Sequence, residues 1–541
     1  MFAAICAALT AIPASSATCE SLSGQKLANT TITSAQNVAP GAFTLPTGSV
    51  PGQPGDLADF NSLPAFCRIQ GILQPSSDSH IEFEVWLPAS GWNGKYQGIG
   101  NGGFAGSIGY SGMADAIAHN YATASTDTGH QANAIDARWA LGHPEKIIDF
   151  GYRAIHETAV TAKAIIQAFY GKNPDHSYFS SCSNGGRQAL MEAQRFPEDY
   201  DGILAGAPAN FWTHLNGVAI WNNQALSTEK SSYFNATKLP AVQEAVLAEC
   251  DMLDNVKDGV LENPAQCRFD TSKLLCSGME TDRCLTNPQL AALKKIYAGP
   301  RNAKGERVSP GFSPGSEADP QGWRLWITGN QPTQGLLFSF GTQFFQNMVY
   351  GDPSWDFRTF DWDRDMKAAD DKMAQILNAT DPDLTKFKKR GGKLILYHGW
   401  NDSGIPALYS VDYYQSVVSR MGQKKADEFI RLFMVPGMQH CAGGAGCDSF
   451  GQMSVAQGDP EHNISAASER WVEKGVAPDK IIAAKNKADG KVPGSVVRTH
   501  LLCPYPQVAE YKGSGSTNDA SHFVCTQNRQ YSDGRTIAIK K

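Results

Sequence analysis

The chain has 541 residues, is 42% hydrophobic and 10% aromatic, and carries a formal charge of −6 with a pI near 6.1. It exceeds the roughly 100–200 residues of a usual domain, and its apolar content supports a packed core rather than a disordered chain. No basic run or acidic tail marks a nucleic-acid partner, and no stretch approaches the ~20 apolar residues that span a bilayer.

The chain opens with a short apolar run over residues 1–12, then Pro13 and small residues up to Ala17. This reads as the h-region of a secretory signal with cleavage after Ala17, so residues 1–17 are assigned to a signal peptide that lacks its basic n-region. A frayed apolar N-terminus is the plainer alternative. The cysteines favour export. There are twelve, at 6, 19, 67, 182, 250, 267, 276, 284, 441, 447, 503 and 525. None forms a C-x-x-C pair, which argues against zinc ribbons and thioredoxin-like sites, whereas oxidised pairs suit an exported protein, extracellular or periplasmic. Local spacing suggests Cys19–Cys67, Cys250–Cys267, Cys276–Cys284 and Cys503–Cys525; Cys447 is left over. Sequons at Asn29, Asn235, Asn378 and Asn463 matter only in a host that glycosylates.

Residues 81–87 alternate as a half-buried strand does, and 96–99 form a second strand that runs into a glycine-rich loop at 100–106. A third strand is expected over 121–126 and a helix over 152–169, closed by Gly171. A short strand at 177–180 leads to a tight turn at Ser183, a helix at 187–195 and a buried strand starting at 202. Strands alternating with helices imply a parallel sheet with crossover connections. The rhythm stops after Pro208 and resumes with strands at 393–398 and 429–435. The stretch between is too long and too apolar for a linker. The chain therefore divides into a core at 18–209, an inserted lid at 210–388 and a second core part at 389–541.

A nucleophilic serine of an α/β-hydrolase sits on a sharp strand-to-helix turn, usually G-x-S-x-G. Here Ser181 takes the place of the first glycine, before Ser183 and Gly185, and the strand–turn–helix setting is right. A structural Ser-Gly turn is the bland alternative. The serine needs a base, and the base needs a carboxylate. The order Ser…Asp…His of this fold selects Asp402, after the strand at 393–398, and His440, after the strand at 429–435. His130, His156, His214, His398 and His500 are read as structural; Asp127 is the strongest rival acid but precedes the nucleophile. Ser183 and His440 each adjoin a cysteine. If the two residues meet, Cys182 and Cys441 can pair and pin nucleophile to base. An oxyanion needs two backbone donors, expected from Asn184, after the nucleophile, and Gly103, in the glycine loop.

Asp251, Asp254 and Asp258 lie at i, i+3 and i+7, where, with the carbonyls of Val256 and Val260, they could hold Ca²⁺. An acidic turn stapled by Cys250–Cys267 explains the pattern equally well. Aromatics crowd the insertion, and Trp323, Trp326 and Phe338 are candidates for an apolar wall around an aromatic substrate.

At these residues the chain resembles the tannase and feruloyl esterase family, most specifically in Cys182-Ser183-x-Gly185-Gly186, Gly206-Ala207-Pro208-Ala209, the Asp-rich loop after Cys250 and Gly437-Met438-x-His440-Cys441. The resemblance implies an α/β-hydrolase core with a large lid between the nucleophile region and the catalytic Asp. It also implies a Ser183–Asp402–His440 triad braced by Cys182–Cys441, and a structural Ca²⁺ at Asp251, Asp254, Val256, Asp258 and Val260. The family's substrates are small aromatic esters: feruloyl esters of plant polysaccharide, gallate esters, or the terephthalate monoester. The last is held through its carboxylate by a lid arginine, and residues 331–348 here contain neither Arg nor Lys, which favours feruloyl esters. The other expectations to be weighed are a serine peptidase and an inactive Ca²⁺- or carbohydrate-binding protein on the same fold.

Overall fold

The computed structural model describes residues 17–46, 59–487 and 494–527; the signal peptide assigned to 1–17 lies almost wholly outside them. Nine strands form one sheet in the order β1-β2-β3-β5-β4-β6-β7-β8-β9. They are β1 (Thr30–Val38), β2 (Phe66–Leu73), β3 (Ile81–Pro88), β4 (Lys95–Ile99), β5 (Ala122–Thr126), β6 (His176–Cys182), β7 (Gly202–Gly206), β8 (Lys393–Gly399) and β9 (Ile430–Val435). From β1 to β5 the pairing is antiparallel; from β5 through β4 to β9 it is parallel.

The parallel strands are buried on both faces, which is why they read as near-continuous apolar runs. In β7, Ile203 and Ala205 point into one core and Leu204 into the other; in β8, Leu394 and Leu396 oppose Ile395 and Tyr397. Helices Ala154–Tyr170, Asn184–Arg195 and Leu408–Met421 fill the first face through Ile166, Leu190 and Val417. Helix Ile464–Lys474 fills the second with Trp471, and Tyr110–Ala118 covers Trp86 with Met113 and Ile117. This is the α/β architecture expected from the strand–helix alternation.

The insertion runs between β7 and β8. Among the described residues it adds no strand to the sheet and is built of helices, including Trp212–Ser227, Leu239–Cys250, Asn287–Ala298 and Trp362–Leu377, around a core of its own that reaches Phe104, Phe150 and Tyr409 of the main body. It sits over the ends of β8 and β9, where Ser316 donates to the Asn401 carbonyl and Gln439 to the Ser316 carbonyl. The C-terminal segment adds two hairpins, β10 (Ile481–Asn486) with β11 (Val496–Leu502), and β12 (Gln507–Tyr511) with β13 (Phe523–Gln527). Leu501, Cys503 and Phe523 pack on Val256, which ties this tail to the acidic loop. Disulfides join Cys19–Cys67, Cys182–Cys441, Cys250–Cys267, Cys276–Cys284 and Cys503–Cys525; Cys447 is a free, buried thiol.

Candidate active site

Ser183 stands between the end of β6 and the first residue of helix Asn184–Arg195, with φ 67° and ψ −127°. Such a backbone costs of order 1–3 kcal/mol in a residue with a Cβ, so the surroundings must impose it. The Ser183 N–H donates to the Gly206 carbonyl at 2.9 Å, and the Ser183 carbonyl accepts from Arg187 and Ala209, each at 3.1 Å. The turn also requires glycine after it: a Cβ on Gly185 would lie 1.8 Å from Ser181 Oγ, and one on Gly186 2.3 Å from the Gly206 carbonyl oxygen. Ser181 thus fills the space a glycine usually leaves in this motif. The helix begins at Asn184, three residues before the start expected from the sequence, because this close packing overrides the poor helix propensity of Gly185 and Gly186.

Asp402 follows β8 and is fully buried. Its Oδ1 accepts the N–H groups of Gly404 at 2.7 Å and Ile405 at 2.8 Å. Its Oδ2 accepts His440 Nδ1 at 2.7 Å and His398 Nε2 at 3.1 Å. Burial alone would raise this carboxyl; His440 and His398 overcome it and hold it far below the usual carboxylate range. With Nδ1 engaged, Nε2 is the nitrogen His440 has left to receive a proton. The loop carrying His440 is held by Asn401, whose Oδ1 accepts the Gly437 N–H at 3.0 Å, and by the disulfide that ties Cys441 to Cys182. His440 and Asp402 are therefore in direct contact, and the disulfide ties the residue before Ser183 to the residue after His440.

The glycine loop is fastened to helix Asn184–Arg195. Gln188 Oε1 accepts the Asn101 N–H at 2.9 Å, and its Nε2 donates to Asn101 Oδ1 at 3.1 Å. Gly103 has φ +55°, and a Cβ there would meet the Ala134 carbonyl oxygen at 2.2 Å. Asn184, as first helical residue, presents an N–H that the helix leaves unpaired. Its side-chain oxygen accepts from Arg187 Nε at 2.8 Å. Arg187 is wholly buried, lies over the rings of Phe150 and Trp212, and donates to the Phe150 and Gly151 carbonyls. Burial lowers its pKa to about 9.

Of the three aromatics named from the sequence, Trp326 is at the site: its ring meets His440 edge-on at 4.9 Å. It continues through Phe340, at 6.4 Å, to Phe104, which lies 5.5 Å from Phe340 and directly follows Gly103. Trp323 is instead a core residue, 1% exposed and packed on Tyr297, and Phe338 turns away onto Phe357. Trp323 and Trp326 lie at one π-helical turn (Arg324–Thr328) and Phe338 on the next helix, Leu336–Gln343; local sequence does not show which way each ring faces. The competing side chains are accounted for. Asp127 accepts the Glu82 and Gly129 N–H groups. His130 stacks on Trp139, while His156, His214 and His500 pair with Asp199, Asp370 and Glu262. His398 is the exception, because it shares Asp402 with His440. Gln188, Asn101 and Arg187 carry no sequence signal beyond their proximity to the motif.

The acidic loop gathers carboxylates around a small cavity. Asp254, Val256, Asp258 and Val260 line a small cavity with Glu262 and Arg498, and Arg498 is ion-paired with Asp258. Asp251 accepts the Gly259 N–H at 3.1 Å. Burial, then Glu262 and Asp251, push the Asp254 carboxyl up to about 6. The carboxylates of Asp254, Asp258 and Glu262 around this cavity are oxygen donors of the kind Ca²⁺ takes, with Arg498 already paired to Asp258.

The family model described as tannase and feruloyl esterase matches residues 67–526. An uncharacterized esterase of Xanthomonas campestris pv. campestris is 44% identical over 97% of this chain and 94% of its own length. A probable feruloyl esterase B-2 of Aspergillus terreus is 33% identical over 85% of this chain and 86% of its own length. The crystal structure of feruloyl esterase B from Aspergillus oryzae superposes with a TM-score of 0.84 at 30% identity, covering 94% of this chain and 99% of that one.

Proposed function

Because the chain belongs to the tannase and feruloyl esterase family, and is therefore a carboxylic ester hydrolase, we propose that it is an exported serine esterase that cleaves hydroxycinnamoyl esters, feruloyl esters above all, through an acyl-enzyme. Ser183 Oγ attacks the ester carbonyl and gives its proton to His440 Nε2. Asp402 holds the ring by Nδ1 and stabilises the imidazolium. The Gly103 and Asn184 N–H groups take the oxyanion. The alcohol leaves with the proton from His440, water attacks the acyl-enzyme with His440 again as base, and the acid is released. Export is supported by the five disulfides. No described helix is long and apolar enough to cross a membrane.

The observation that carries the substrate class is the aromatic wall from His440 through Trp326 and Phe340 to Phe104. Its accessible rings are Trp326 and Phe340, with Phe104 buried behind them beside Gly103, so a planar acyl group would lie along Trp326 and Phe340 with its carbonyl at the serine. The adjoining stretch 331–348 offers no cation to a second carboxylate. Comparing kcat/KM for methyl ferulate, methyl gallate and the terephthalate monoester tests this. Ferulate is expected to exceed the terephthalate monoester by at least about tenfold, the worth of one charge-assisted hydrogen bond. Preference for the terephthalate monoester overturns the assignment, and preference for gallate makes the enzyme a tannase.

We also assign Asp251, Asp254 and Asp258, with the carbonyls of Val256 and Val260, to a structural Ca²⁺. Bound there, the ion would cross-link the lid loop next to the C-terminal hairpins and take no part in catalysis. At a hundredfold excess over its Kd a ligand stabilises by about 2.7 kcal/mol, so chelation should lower Tm by several degrees and added Ca²⁺ should restore it. Asp254→Asn should abolish that difference. A Tm indifferent to chelator in calcium-loaded protein removes the site.

A further inference from the structure

The triad acid serves two histidines, and both use the same oxygen. Asp402 Oδ2 accepts His440 Nδ1 at 2.7 Å and His398 Nε2 at 3.1 Å. His398 is fully buried on β8, four residues before the aspartate. Its Nε2 also lies 3.2 Å from the Ile405 carbonyl, and its Nδ1 2.7 Å from Ser410 Oγ on helix Leu408–Met421. Both groups facing Nε2 are oxygen acceptors, so Nε2 carries a proton. Nδ1 is paired with the Ser410 hydroxyl, which can donate or accept. A histidine held this way is a fixed donor to Asp402.

We propose that His398 is a positioning residue that divides the negative charge of Asp402 between two rings, so that His440 stays unprotonated, and the enzyme active, to lower pH. The proposal rests on the Ser183–Asp402–His440 reading given above. Each hydrogen bond donated to a carboxylate draws charge towards its donor, and only what remains stabilises the His440 imidazolium. Among the described residues, the ionisable groups on the segments packed against this unit include Glu317 and Asp319 on the lid segment seated against Asn401 and Gln439, Tyr409 and Asp412 on the helix bearing Ser410, with Arg307 beside Asp412, and Asp448 with Lys485 beyond Cys441. A change at 398 leaves all of them in place. His398 also fixes Asp402 from the side opposite its loop N–H donors, so the shared oxygen faces both rings.

The test is the pH dependence of kcat/KM on a neutral aryl ester for wild type, His398→Gln and His398→Met. Glutamine keeps an N–H close to the position of Nε2; methionine fills the volume without a donor. The acid limb is expected to move up by about one pH unit in His398→Met, a tenfold loss of kcat/KM below the limb, and to stay near wild type in His398→Gln. A purely structural role would lower kcat equally at every pH and leave the limb unmoved in both variants; that result overturns the proposal. A second measurement needs no variant. In nitrogen-15 spectra of the wild-type protein, His398 should carry a proton on Nε2, the nitrogen that faces Asp402 and the Ile405 carbonyl. A His398 whose Nε2 carries no proton refutes the proposal. Full activity in Ser183→Ala would instead overturn the triad reading itself, an outcome these two measurements do not share.

Discussion

Ser183→Ala is expected to lower kcat by about four to six orders of magnitude while Tm stays within a degree of wild type. The activity loss follows from chemistry: without the hydroxyl there is nothing for His440 to deprotonate and no acyl-enzyme, so only binding and the oxyanion donors remain. Retained stability follows from geometry. The turn at Ser183 is imposed through its main chain, by hydrogen bonds to Gly206, Arg187 and Ala209 and by the packing of Gly185 and Gly186. Alanine keeps the Cβ and the same φ, and no described side chain depends on the serine hydroxyl through a hydrogen bond. The check is a chromogenic aryl ester under excess substrate, read together with thermal unfolding. A wild type that turns over no aryl ester would make the protein a binder on this fold; an alanine variant with near-wild-type kcat would move the nucleophile elsewhere. Activity on an amide but not an ester would indicate a peptidase.

What the sequence could reveal of this site follows a physical divide. The parallel strands were legible because both faces of each are buried, giving short apolar runs bounded by glycine: β7 and β8 are the clearest. The sharp turn at Ser183 was legible because close backbone approach admits few residue types, as at Gly185 and Gly186. β1 escaped notice because its faces are only partly buried and a register irregularity between Ile32 and Ser34 breaks the alternation. Lid helix Trp212–Ser227 escaped because it is buried nearly all round and shows little contrast between its faces. His398 is the instructive case. A histidine ending an apolar strand has the same local sequence whether it fills the core or holds a carboxylate. Only the turn that brings Asp402 back beneath it distinguishes the two.

Replacing the bridge, as Cys182→Ala/Cys441→Ala, is expected to cost about a hundredfold in kcat/KM and several degrees in Tm. The Cys182–Cys441 bond spans 259 residues of sequence, including the entire lid. Loop-closure entropy assigns about 4.7 kcal/mol to a bridge closing 100 residues, and its slow logarithmic growth adds little beyond that. The other four disulfides close separations of 8 to 48 residues and do not substitute for it. The kinetic cost has a separate origin. Cys182 immediately precedes the nucleophile and Cys441 immediately follows the base, so the bond sets their spacing directly; a displacement of about 1 Å between reacting groups costs on the order of a hundredfold. His440 would keep Asp402 and Trp326 as neighbours, so the fold and the acid–base pair should outlast the loss of alignment. Cys447 lies in the same apolar cluster as both bridging cysteines, yet burial pushes its thiol up to about 12, which keeps it from attacking the bond as thiolate. The double variant is therefore a cleaner probe than a reductant, which would also open the four remaining bridges. Activity should fall more steeply than stability: at 25 °C the variant should remain folded by circular dichroism while turning over slowly. Wild-type kcat/KM in the folded double variant would show that the loops around Ser183 and His440 hold their own alignment and that the bridge serves stability alone.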